Sequence, residues 1–226
     1  MDSEFNFPGF KLHSKDRLEL NDKKGGGVAL YVRENLILQD FDELNSSQCE
    51  SIWSKVYVNQ KDFVIVGVCY RSPEAEDTET QHLFECIKLA TAISQPIVIM
   101  GDFNYPGIDW VQLRSSDTGD KKFVNLVMDC FLDQHVCNPT RDNNILDLVL
   151  TNEVQIADEV KILPPLDNCD HNVLLWGIDC AADKALSNKA KLCFNRANYD
   201  DMRQFVGSRL CCMDFASMSE STPRSG

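Results

Sequence analysis

The hydrophobic pattern of this chain is clearest in Gln95-Pro-Ile-Val-Ile-Met-Gly-Asp-Phe-Asn104. Pro96 opens the stretch, Ile97 to Met100 are uniformly apolar, and Gly101 lets the backbone turn before Asp102 and Asn104. A short apolar run bounded by turn formers predicts a buried central strand. Phe63 to Tyr70 is almost wholly apolar and predicts a second strand buried on both faces. Ser51 to Val58 alternates instead, with Ile52, Ser54, Val56 and Val58 on one face and Trp53, Lys55 and Tyr57 on the other. Further strands are predicted at Val28–Val32, Ile145–Thr151, Val160–Leu163 and Asn172–Ile178. The run from Ile145 carries Asp147 in its middle, and an ionised carboxylate in an apolar strand is costly unless paired.

Two segments have helical periodicity. Thr78–Ser94 places Leu83, Ile87 and Ala90 on one face. Asp120–Gln134 places Phe123, Leu126, Val127, Cys130 and Phe131 at helical spacing. Residues 1–24 carry scattered aromatics, Phe5, Phe7 and Phe10, and from Lys11 charges of both signs; they read as an entry strand and a solvated loop, followed by Gly25-Gly-Gly27. A glycine-rich loop that cradles phosphate leads into a helix N-terminus. A strand follows here, so these glycines read as a hairpin turn. Beyond Ala182 the pattern weakens, with a possible helix over 199–213 and a disordered end from Ser217. The organisation predicted is one domain over 1–180 and a linker or tail over 181–226. Strands mixed with only two clear helices predict an α/β (α+β) fold of packed sheets covered by helices.

Composition changes the picture little. Of 226 residues 43% are hydrophobic and 25% charged, as in a water-soluble globular domain. No apolar run approaches the ~20 residues of a membrane-spanning helix, and Met1 to Phe5 does not resemble a secretory signal. The expected location is nuclear or cytoplasmic, with no membrane partner. Ten cysteines contain no CxxC pair, which argues against a zinc module and for reduced, mostly buried thiols. The net charge of −13 argues against a domain that grips nucleic acid chiefly by neutralising phosphates. It is compatible with an acidic cleft neutralised by a divalent cation.

Four features carry chemistry: Tyr70 after a strand, Asp102 and Asn104 after another, Asp147 inside a third, and Asp170-His171 before a fourth. His171 is the natural partner for Asp147, because a carboxylate on one imidazole nitrogen fixes the tautomer and raises the basicity of the other. Asp102 can hold and deprotonate a water that Asn104 orients, and Asp170 can hold a hard cation. Phosphodiester hydrolysis needs those parts.

Gly101-Asp-Phe-Asn104 together with Cys169-Asp-His171 resembles the endonuclease/exonuclease/phosphatase superfamily. Pro8-Gly-Phe10, Lys15-Asp-Arg17, Gly25 to Val32, Glu50-Ser-Ile-Trp53, Tyr70-Arg-Ser-Pro73, Ile108-Asp-Trp110, Pro139-Thr-Arg141 and Leu146 to Asn152 are similar to the endonuclease domain of non-LTR retrotransposons. The similarity covers about residues 5–180, and Phe194 to Val206 resembles the linker to a reverse transcriptase in such polyproteins. The resemblance implies a four-layer α/β sandwich, two mixed sheets packed face to face and flanked by helices. It implies Mg²⁺ (or Mn²⁺), DNA as substrate and a downstream reverse transcriptase as partner. By matching motif, Tyr70 contacts the phosphate, Asp102 activates water and contributes to the metal site, and Asn104 positions that water. Asp147 orients His171, which stabilises the transition state, and Asp170 assists the metal or the leaving group.

The family pattern also has an Asn-bearing strand, a helix and a strand ending in a metal-binding Glu before Pro-Gly-Phe. Only Met1 to Phe7 stand before Pro8 here, and neither Glu4 nor Glu50 occupies the matching place. The expectation is a copy lacking the first strands of the fold. Its alternative to a working nuclease is a catalytically inactive remnant serving at most as an interaction module. Activity on phosphoinositides, sphingomyelin or RNA tails is a third reading, against which the Pro-Thr-Arg and Leu-Asp-Leu-Val-Leu-Thr-Asn wording argues.

Overall fold

The computed structural model describes residues 7–17, 26–45 and 48–178, all in the first of two units, Met1–Ala182 and Asp183–Gly226. β1 (Phe10–Asp16) and β2 (Gly27–Arg33) form an antiparallel hairpin. β3 (Ile37–Asp40), β4 (Glu50–Tyr57) and β5 (Phe63–Tyr70) lead to α1 (Asp77–Thr91) and β6 (Ile97–Asp102). Then come α2 (Thr118–Asp129), the two-residue β7 (Asp133–Gln134), β8 (Asp147–Thr151), and a second hairpin of β9 (Lys161–Leu163) and β10 (Val173–Leu175).

Six strands make the main sheet in the order β3-β4-β5-β6-β8-β7. Only β5 and β6 run parallel, joined by α1 as a crossover helix. The two most apolar stretches therefore lie at the centre, where both faces are covered. One face packs Trp53, Ile65, Ile97, Ile99, Leu148 and Leu150 against Leu83, Phe84 and Ile87 of α1 and Phe123, Leu126 and Val127 of α2. The other packs Val64, Val66, Val98 and Val149 against Leu30, Ile162 and Leu174 of the two hairpins. The fold is thus an α/β sandwich. Among the described residues, helices cover one face of the six-stranded sheet and two hairpins, not hydrogen-bonded to each other, cover the other.

Several predicted boundaries move. The expected entry strand runs on through Lys11 to Asp16 as β1, because pairing with β2 satisfies its backbone. The glycine run's hairpin reading falls partly outside the described residues, as does the possible helix over 199–213. α2 ends at Asp129, not Gln134: Phe131 turns to φ 52 and Leu132 donates back to the Val127 carbonyl, so Gln134 starts a strand. Asp147 is the first residue of β8, not its middle. No helix among the described residues is long and apolar enough to cross a membrane.

Candidate active site

The central strands deliver their chemistry to one end of the sheet. Strand register sets Glu50 opposite Tyr70, Tyr70 opposite Asp102, and Asp102 opposite Asp147. Residues in register share a face, here the face that carries the hairpins, since Val56, Val66, Met100 and Val149 at alternate positions pack there. The row needs Gly101. Its φ is 146°, and a Cβ there would lie 1.7 Å from the Cys69 carbonyl oxygen of β5. Only glycine lets β6 approach β5 that closely while it turns.

Phe103 anchors the turn. It is fully buried and stacks on Phe123 of α2 at 5.0 Å, so Asp102 and Asn104 on either side of it are held against the sheet. Asn104 adopts φ 51°, a left-handed conformation that asparagine tolerates. It wraps the Asp102 carboxylate: its backbone N–H donates to Oδ1 at 3.1 Å and its side-chain amide to Oδ2 at 2.8 Å. The same amide donates to the Arg71 carbonyl at 3.0 Å. Burial, and then the nearby Asp147 charge, raise the Asp102 pKa above the usual carboxylate range, while His171 and the bonds from Asn104 act in the opposite sense.

His171 joins this pair. Its Nδ1 donates to Asp147 Oδ2 at 2.8 Å, and its Nε2 lies 3.9 Å from Asp102 Oδ2. Asp102, Asp147 and His171 each offer a ligand atom, all within 4.8 Å of one another. A fully buried residue fixes this meeting. The Thr140 hydroxyl accepts from the backbone N–H groups of Leu146 and Asp147, and the Thr140 carbonyl accepts from that of Asn172. The start of β8 and the loop carrying His171 are thereby tied to one turn.

Known proteins share this architecture. A family model described as endonuclease-reverse transcriptase matches residues 64–175, which span β5, β6 and β8 with every site residue above from Tyr70 onward. Over these residues the chain belongs to the endonuclease/exonuclease/phosphatase superfamily. The endonuclease domain of TRAS1, a telomere-specific non-LTR retrotransposon, superposes with a TM-score of 0.60 at 15% identity, covering 77% of this chain and 82% of that one. An endonuclease/exonuclease/phosphatase family protein from Leptotrichia buccalis gives 0.53 at 15% identity over 78% and 74%. The 3′-5′ exonuclease NExo from Neisseria meningitidis gives 0.53 at 14% over 76% and 80%. No curated protein matches the sequence.

Of the six expected site residues, Asp102, Asn104, Asp147 and His171 converge, and Tyr70 stands in strand register beside Asp102. Asp170 stands apart from the cluster. It is 65% exposed and held by Arg141 Nη2 at 2.6 Å. Arg141 also sets Nη1 3.5 Å from His171 Nε2. With Nδ1–H given to Asp147, Nε2 is the acceptor for that guanidinium. In the sequence Pro139-Thr-Arg141 stands only among the motifs that carry the resemblance, with no role for Thr140 or Arg141. Glu50, set aside there, begins β4 in line with the site. The signal available for it was the one that worked for Asp147: a carboxylate opening an apolar strand needs a partner.

The donor set suits a hard divalent cation. Asp102 and Asp147 supply carboxylate oxygens, and a cation relieves the Asp147 repulsion that, after burial, raises the Asp102 pKa.

Proposed function

We propose that this chain hydrolyses phosphodiester bonds of DNA with a divalent cation, Mg²⁺ or Mn²⁺, as the endonuclease part of a retrotransposon-type polyprotein whose downstream partner is a reverse transcriptase. The observation that carries the reading is the approach of Asp102, Asp147 and His171 ligand atoms to within 4.8 Å of one another. The likeness to a retrotransposon endonuclease domain supports DNA as substrate.

A divalent cation held by the Asp102 and Asp147 carboxylates supplies neutralisation of phosphate charge. That contribution matters in a chain of net charge −13. Asp102 takes a proton from the attacking water, and its raised pKa suits it as a base nearer neutral pH. Both hydrogens of the Asn104 amide are used inside the protein, on Asp102 and Arg71, so Asn104 orients the base directly and water through it. His171, fixed by Asp147, binds a phosphate oxygen as the imidazolium, donating from an Nε2 that takes up a proton once Arg141 turns to the phosphate. Arg141 adds a second donor there, since an exposed pair such as Arg141–Asp170 is worth little and yields to a phosphate. Its departure frees Asp170 to assist the leaving oxygen. Tyr70, in register beside Asp102, contacts the same phosphate.

Covalently closed plasmid beside blunt linear DNA with Mg²⁺ tests the reading. An endonuclease opens the circle at internal positions. Shortening or dephosphorylation of ends with circles left intact overturns it in favour of an exonuclease or phosphatase. A folded chain inert on both substrates overturns it in favour of an inactive remnant.

A further inference from the structure

Four motifs of the sequence take no part in the site so far: Lys15-Asp-Arg17, the glycine run ending at Gly27, Glu50, and the strand end before Arg71 beyond its assignment to phosphate. They meet at one place. Glu50 is 3% exposed. Its Oε1 accepts from Arg17 Nε at 2.8 Å, and its Oε2, also buried, has no hydrogen-bond partner among the described residues. Lys15 reaches the same strand, donating to the Cys49 carbonyl at 2.7 Å and lying 3.4 Å from that of Ser51. The Arg17 guanidinium lies over the Tyr70 ring, 5.2 Å from its centroid. Gly26, at φ 98°, backs onto the guanidinium: a Cβ there would fall 2.4 Å from its central carbon. The glycine leaves room for the arginine.

Burial works to lower the Arg17 pKa, but the hydrogen bond and charge of Glu50, joined by the Tyr70 phenol, outweigh it and leave it raised. As a stabilising device the pair is poor. A carboxylate desolvated with one oxygen unpaired gives back much of its Coulomb gain, and an apolar pair of similar volume serves as well or better. What it delivers is geometry. A guanidinium is planar with donors in a fixed fork, so one edge held by Glu50 sets its face against Tyr70. Lysine keeps the charge but not the plane.

We infer that Arg17, held by Glu50 and given room by Gly26, is a positioning residue that sets the Tyr70 phenol toward the phosphate. The role given to the phenol rests on the phosphodiesterase reading; the positioning itself does not. The test is ¹⁹F NMR of the full chain labelled with 3-fluorotyrosine, whose five tyrosines include Tyr70. Tyr70→Phe identifies its signal. Arg17→Lys shifts or broadens that signal and leaves the other four in place; an unmoved Tyr70 signal overturns the inference. Arg17→Met with Glu50→Met, an apolar pair that keeps the fold, displaces it likewise.

The second arm is plasmid nicking. Arg17→Lys and Tyr70→Phe each slow cutting about tenfold, roughly one hydrogen bond of transition-state binding. The double variant is no slower than the worse single, because both remove one function. Losses that multiply, or wild-type cutting by Arg17→Lys, overturn the inference. A wild-type chain that cuts nothing fails the phosphodiesterase reading alone, and the fluorine signal still decides the positioning.

Discussion

Thr140→Val isolates the device that brings Asp147 to His171. Thr140 is fully buried, and its hydroxyl oxygen lies 3.1 Å from each of the Leu146 and Asp147 backbone nitrogens. Valine fills the same space with a methyl group, so packing survives while two amides at the mouth of β8 lose their acceptor. Each buried donor left unpaired costs roughly 1–3 kcal/mol. Allowing for partial relaxation, the variant loses about 2–4 kcal/mol, a large share of the roughly 5–15 kcal/mol that holds a domain together. Urea unfolding measures it. With a slope of about 2 kcal/mol per molar the midpoint falls by roughly 1–2 M at unchanged slope. Thr140→Ser keeps the oxygen and stays within about 1 kcal/mol of the parent. Since the His171 Nδ1–Asp147 Oδ2 bond of 2.8 Å depends on where β8 begins, cutting by the valine variant falls further than its folded fraction. A valine variant within about 0.5 kcal/mol of wild type refutes the reasoning.

Three further outcomes follow from other parts of the site. The Asp102 pKa is raised by burial and by Asp147, so the native state holds this proton more tightly than the unfolded chain. The stability it lends is complete below the unfolded carboxylate pKa, about 3.9, and is lost as pH rises through the folded value. Mg²⁺ therefore raises the melting temperature most near neutral pH, and the rise fades as acid protonates Asp102; a rise independent of pH between 4 and 8 contradicts this. Gly101→Ala drives a Cβ onto the Cys69 carbonyl and parts β5 from β6. Its cost exceeds about 3 kcal/mol, and a thermal melt near that of wild type contradicts the packing. Arg141→Gln leaves stability nearly unchanged, as an exposed pair contributes about 0–1 kcal/mol. It lowers the slope of log K for DNA against log salt by about 0.9, one phosphate contact, and an unchanged slope removes Arg141 from the phosphate.

The central strands were legible because β5 and β6 are buried on both faces, and continuous apolar runs leave little else to predict. β3 was not: four residues, three of them exposed, pair at the sheet edge without any periodic signal. An entry strand was expected before the glycines, but its reach through Lys11 and Lys15 was hidden, since their charges are outweighed by a partner strand rather than by local propensity. Of the site, Asp102, Asn104, Asp147 and His171 could be read as residue types at strand ends. The pairing of Asp147 with His171 could be read as well, since a carboxylate in an apolar strand needs a partner. The approach of that pair to Asp102 could not, because strand register is set by pairings across tens of residues. That register puts Glu50 beside Tyr70, and Tyr70 beside Asp102. Thr140 and Arg141 were missed for a related reason. Their work is done by hydrogen bonds to a neighbouring strand and loop, and nothing in a Pro-Thr-Arg turn announces them.

The central claim is that Asp102 and His171 act on one phosphodiester with a bound cation, and nicking of supercoiled plasmid by site variants tests it most directly. Wild type with Mg²⁺ should convert supercoiled to open circles, and EDTA should stop it. Asp102→Asn and His171→Ala should each cut at least about a hundredfold more slowly, the usual scale of a positioned base or donor, while remaining folded. Nicking undiminished in either folded variant would contradict the account.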